Sequence, residues 1–79
     1  MKIKILAFGV AKDIFGGPAI EVEINGSSVD QLKSALEERF PKLKQIASYM
    51  VAVNNEYAGD DVKISVRDEI AVIPPVSGG

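Results

Sequence analysis

The amino-acid sequence predicts an α+β domain in which a mixed sheet wraps one face around a single main helix, in the order β-β-α-β-β. Three observations carry this. Extended, period-two segments open the chain (KIKILAF), recur at AIEVEI and close it at EIAVI. Between them, one stretch repeats apolar residues at helical spacing and carries its own start and stop signals. The chain has 79 residues, 47% of them hydrophobic, which is length for one core and apolar content enough to fill it without a disulfide or metal.

The elements follow in order. In KIKILAF, Ile3, Ile5 and Ala7 share one face and Lys4, Leu6 and Phe8 the other. The segment VAKDIFGG has room for a helical turn before Gly16 and Gly17 break it. AIEVEI then directs Ile20, Val22 and Ile24 inward and Glu21 and Glu23 outward, completing a first hairpin. Asn25 and Gly26 turn the chain into the helix. Ser28 stands three residues before Gln31, the spacing at which the two side chains satisfy each other's nearby backbone N–H groups. Val29, Leu32, Ala35, Leu36 and Phe40 form the apolar stripe, with Lys33, Glu37, Glu38 and Arg39 toward water, and Pro41 ends the helix.

KLKQIASY adds a short helical turn, and MVAVN forms a third strand ending at Asn54 and Asn55, which tolerate left-handed geometry. A short edge-like strand is expected over Val62 to Val66, and a small extra strand has room near Tyr57. Arg67 and Asp68 turn the chain into EIAVI, with Ile70 and Val72 on one face and Ala71 and Ile73 on the other. This is the β-grasp pattern. It divides the chain into a domain over 1–75 and a protruding tail over 76–79.

Composition narrows the function. Nine Lys and Arg against eleven Asp and Glu give a net charge of -2, which offers no electrostatic footprint for nucleic acid or an anionic membrane. Cysteine and histidine are absent, so thiol catalysis, thiolate metal sites and imidazole bases are excluded. No signal peptide or membrane-length apolar run is present, and a cytoplasmic location is expected. The acidic pairs Asp60–Asp61 and Asp68–Glu69 sit among turn residues and read as solvated loops, and Gly16–Gly17 reads as a turn.

What remains is PPVSGG. Pro74 and Pro75 lack the N–H groups that would extend a ladder, and they hold the following residues on a stiff stem. Val76, Ser77, Gly78 and Gly79 span at most about 13 to 14 Å, enough to carry a carboxylate into a partner's cleft. A Gly-Gly end threads a channel too narrow for other residues. On the sheet, Leu6 and Phe8 beside Ala71 and Ile73, with Val76 near, make a plausible contact patch.

IKILAF, the helix opened at SV, VNNEY and above all DEIAVIPPVSGG together resemble the small subunits of molybdopterin synthases, ubiquitin-like sulfur carriers, along essentially the whole chain. Arg67 stands where that family often has glycine, and Lys12 where arginine is frequent. The resemblance implies a sulfur-donating subunit without catalytic side chains of its own. By that resemblance Gly79, preceded by Gly78, is expected to be adenylated by an E1-like adenylating enzyme using ATP and converted to a thiocarboxylate by a sulfur-donor protein. The molybdopterin synthase large subunit then uses that sulfur to build the dithiolene on a cyclic pterin phosphate precursor. The resemblance further implies that no cofactor is bound by this chain, ATP and the pterin precursor being held by partners. Two small and two large subunits assemble in the family. Phe8, Tyr57 and Ile73, with Pro74, Pro75, Val76 and Ser77, are the implied partner-binding residues. Three alternatives stay open: a related Gly-Gly carrier for thiazole or tRNA thiolation, a ubiquitin-like protein modifier, and an interaction domain with an inert end.

Overall fold

A computed structural model describes residues 1–46 and 49–75. The first strand, β1 (Lys2–Ala7), leads into a short helix α1 (Val10–Phe15), the edge strand β2 (Ala19–Glu23) and the main helix α2 (Val29–Arg39). A 3₁₀ turn (Pro41–Gln45) connects α2 toward β3 (Met50–Val53), which is followed by the two-residue β4 (Glu56–Tyr57) and by β5 (Ile70–Ile73). The five strands form one mixed sheet in the order β2-β1-β5-β3-β4. β1 pairs antiparallel with β2 and parallel with β5, and β3 pairs antiparallel with both β5 and β4.

The alternation read from the sequence sorts the two faces. Ile3, Ile5 and Ala7 of β1, Val22 of β2, Val51 of β3 and Ile70 and Val72 of β5 are buried against Val29, Leu32 and Leu36 of α2 within a single cluster. Leu43 from the 3₁₀ turn and Phe15 from α1 extend it, and Phe15 meets Phe40 with ring centroids 4.8 Å apart. Each fully buried Leu, Ile or Val contributes about 1.5 to 3 kcal/mol. Helix α2 ends where Phe40 precedes Pro41, as expected of a residue that proline forces out of helical geometry. Its last turn also covers the sheet edge: Arg39 Nη1 donates to the Glu21 carbonyl at 2.7 Å.

The start of α2 corrects the reading of residues 62–66. No strand forms there; Lys63 makes one isolated bridge with Ser28. The Ser28–Gln31 capping box is present, and the Gln31 N–H donates to Ser28 Oγ. The first two N–H groups of the helix are satisfied from the 60s segment, Val29 N–H donating to the Val62 carbonyl at 3.0 Å and Asp30 N–H to the Asp60 carbonyl at 2.9 Å. These are donors that a helix cannot pair internally. The apolar alternation of VKISV does not become a buried face: a strand would place Val62, Ile64 and Val66 on one side, yet only Ile64 is buried, and the Val62 carbonyl caps a helix instead of joining the sheet. The strand order therefore depends on β4 at Tyr57, which pairs through Ala52↔Tyr57 and Val53↔Glu56.

Arg67 adopts no left-handed geometry: among the described residues only Asn54 and Asn55 have positive φ outside glycine, at 54° and 70°. Two consecutive left-handed residues joining paired strands make the tight turn that matches strand twist.

Two stability measurements follow. Ser28→Ala should lower unfolding free energy by about 1 kcal/mol, read as a lower denaturant midpoint at unchanged slope. Burial first, and then the hydrogen bond and charge of Glu37, raise the Tyr49 hydroxyl above its ordinary range. The folded state thus holds that proton more tightly, so stability is intact below pH of about 10 and declines as pH rises beyond it. Tyr49→Phe should flatten that alkaline decline in pH-dependent melting.

Candidate functional site

The sheet face turned away from α2 carries an apolar patch over the ends of β1, β5, β3 and β4, beside the charged Lys2, Lys4, Glu21 and Glu23 of the β1–β2 half, because the same alternation that buries one set of residues presents the other. In β1 and β5 the register sets Leu6 beside Ala71, and in β3 and β5 it sets Ala52 beside Ala71 and Met50 beside Ile73. Tyr57 joins the same face opposite Ala52. A groove of about 280 Å³ lies here, lined by Leu6, Phe8, Ala52, Asn55, Tyr57, Glu69, Ala71 and Ile73. Phe8 is 47% exposed and Tyr57 67%, values at which a large aromatic has much apolar area still to bury. Phe8, Tyr57 and Ile73, far apart in sequence, thus line one groove.

Strand β5 ends at Ile73, immediately before Pro74. Pro74 is half-buried and Pro75 exposed, so the stem begins at the end of the groove that carries Phe8 and Ile73. The predicted tail residues Val76, Ser77, Gly78 and Gly79 lie outside the described residues.

Three further residues belong to this region. Met50, 41% exposed, and the well-packed Ala52 belong to the outer face. The period of MVAV already separates them from Val51 and Val53, but sequence alone does not show that β3 borders β5. Gly9 is the third. It has φ 57°, and a Cβ there would stand 3.2 Å from Cγ of Pro74. The chain leaving β1 therefore supports the proline that ends β5, through a backbone that only glycine adopts easily. The glycine after KIKILAF was its only sequence signal.

A larger hollow, about 600 Å³, lies between β2 and α2 and is lined by Val22, Glu23, Asn25, Gln31, Ser34, Ala35, Glu38 and Arg39. Its most directed polar groups are already engaged: Gln31 Oε1 accepts from Ser27 and Ser28 N–H groups, and Arg39 donates to Glu21. It is also lined by no residue of the stem or outer face. Among the described residues no group of three or more Asp, Glu, His or Cys could hold a metal ion, and no helix is long and apolar enough to cross a membrane.

Residues 5–79 match the ThiS family model. The molybdopterin synthase sulfur carrier subunit of Arabidopsis thaliana is 37% identical over 81 residues, covering 100% of this chain and 84% of the relative. That of Caenorhabditis briggsae is 37% identical over 83 residues, covering 100% and 99%. Among solved structures, SAMP1 from Haloferax volcanii superposes with a TM-score of 0.82 at 25% identity, over 100% of both chains.

Gly9→Ala is expected to cost about 1 to 3 kcal/mol of stability, since it combines an unfavourable φ with a close approach to Pro74. Chemical denaturation measures it, and the amide resonances of Ile73 and its neighbours should shift more than those of α2.

Proposed function

The chain belongs to the ThiS family and, within it, to the sulfur carrier subunits of molybdopterin synthase, and from that membership we propose that Gly79 is the sulfur-bearing group. The end-to-end match to named sulfur carrier subunits carries this reading. The apolar groove beside the Pro74 stem supports it, as does the absence of histidine and cysteine, which leaves the main-chain end as the plausible reactive group.

A free carboxylate is a poor acyl donor because its leaving group is oxide. An adenylating partner transfers AMP from ATP to the Gly79 carboxylate, releasing pyrophosphate, and AMP becomes the leaving group. Hydrosulfide delivered by a donor protein attacks the carbonyl carbon and expels AMP, leaving a thiocarboxylate. Its sulfur is far more nucleophilic than carboxylate oxygen. Seated in the large subunit, the sulfur attacks a carbon of the pterin precursor, forming a C–S bond as a C–O bond to the departing oxygen breaks; water then adds to the Gly79 carbonyl carbon and cleaves its bond to sulfur, returning the carboxylate and leaving the sulfur on the pterin. Gly78 and Gly79 lack side chains that would obstruct the channel to that centre. The groove residues Phe8, Tyr57 and Ile73 dock the large subunit while Pro74 and Pro75 aim the tail.

Incubation with the adenylating enzyme, ATP and the sulfur donor should shift the intact mass by one oxygen replaced by sulfur. No shift would remove the carrier reading, and a ladder of heavier conjugates would favour the protein-modifier alternative. Deleting Gly79 should leave the melting transition unchanged and abolish sulfur delivery. Phe8→Asp should retain the fold yet weaken binding to the large subunit by about 2 kcal/mol or more, measured by titration calorimetry.

A further inference from the structure

Tyr57 is the most exposed aromatic on the groove, yet it stands on an edge strand only two residues long. Two pairings to β3, with one further bond from the Ala58 N–H to the Val51 carbonyl at 2.9 Å, are a short ladder for an interface anchor. A second hold comes from the turn. At the turn before Tyr57, the Asn54 N–H donates to the Glu69 carbonyl at 2.8 Å. The Asn54 side chain accepts from the Glu69 N–H at 2.9 Å and donates to Asp68 Oδ1 at 3.1 Å. The other carboxylate oxygen, Asp68 Oδ2, accepts from the Ser65 N–H at 2.8 Å. One amide and one carboxylate thus join the tip of the β3–β4 hairpin to the turn that launches β5. Tyr57 and Glu69, carried by the two joined segments, both line the groove.

We propose that this Asn54–Asp68 seam is a positioning element of the docking face: it fixes the Tyr57 wall relative to β5 and thereby sets affinity for the large subunit. The inference rests on the docking reading above. An aromatic anchor held in its bound position loses less freedom on association than one on a loose hairpin, so the seam acts through Tyr57 without touching the partner.

The chemistry of the pair supplies a specific test. Asn54→Asp sets two carboxylates against each other. Asp68→Asn leaves two N–H donors, from Asn54 and Ser65, competing for one oxygen. The double swap restores every bond, because the carboxylate at 54 accepts from Glu69 N–H and from the amide at 68, whose oxygen accepts from Ser65 N–H. Aspartate also tolerates the left-handed backbone at 54.

The full unthiolated chain would be titrated with the large subunit, with circular dichroism establishing that each variant is folded at the assay temperature. Each single substitution is expected to lose about tenfold or more in affinity. The swap should return to within about threefold of the parent. In a Tyr57→Ala background the loss from Asn54→Asp should largely vanish, which a purely structural role would not produce. Should Asn54→Asp not fold, Asn54→Gly removes the side chain while keeping the backbone geometry. Single variants that bind like the parent, a swap no better than the singles, or an undiminished loss in the Tyr57→Ala background would each overturn the proposal alone. A parent chain that does not bind the large subunit would overturn the docking reading and this proposal with it.

Discussion

The parallel pairing of β1 with β5 at the centre of the sheet is the constraint on which the other features depend. Ile5↔Ile70, Leu6↔Ala71 and Ala7↔Val72 join the two ends of the chain in register. Because the strands are parallel, both leave the sheet at the same end, which is why Gly9 meets Pro74 there. Because side chains alternate, one face of the pair buries Ile5, Ile70 and Val72 beneath α2 and the other offers Leu6, Phe8, Ala71 and Ile73. Core and candidate interface are two sides of one pairing, and a slip of one residue would exchange them.

Such a pairing closes almost the whole chain into a loop, and its entropic cost precedes its reward. The rest of the molecule offsets that cost with local structure: the β1–β2 hairpin, a helix with its first N–H groups satisfied, and a tight two-asparagine turn. The 60s segment links these parts. It caps α2 through the Val62 and Asp60 carbonyls, inserts Ile64 into the core, and continues into the turn that Asp68 closes.

Much of this was legible in the residues themselves. The Ser28–Gln31 spacing located the helix start, Pro41 its end, and the alternation of KIKILAF and EIAVI sorted core from outer face. Asn54 and Asn55 were recognisable as turn residues because few others adopt positive φ. What the sequence hid was partnership. VKISV has the period of a strand, but period does not say whether carbonyls meet a neighbouring strand or a helix N-terminus. MVAV likewise shows two faces without showing that Met50 and Ala52 continue the groove, and nothing local marks Gly9 as the seat of Pro74. The Gly78–Gly79 end stood out by elimination among side chains, and the family relationship supplied its chemistry.

In the proposed function the outer face and the stem form a delivery device, in which the sheet would dock, the prolines would aim, and the terminal glycine would carry the atom to be transferred. Backbone amide shifts of the labelled chain, recorded while the large subunit is added, test this most directly. Perturbations are expected at Leu6, Phe8, Met50, Tyr57, Ala71 and Ile73 and through Val76 to Gly79, with Gln31, Ser34 and Glu38 unmoved. Perturbations centred on the α2–β2 hollow, with the outer face and the last four residues unchanged, would contradict it.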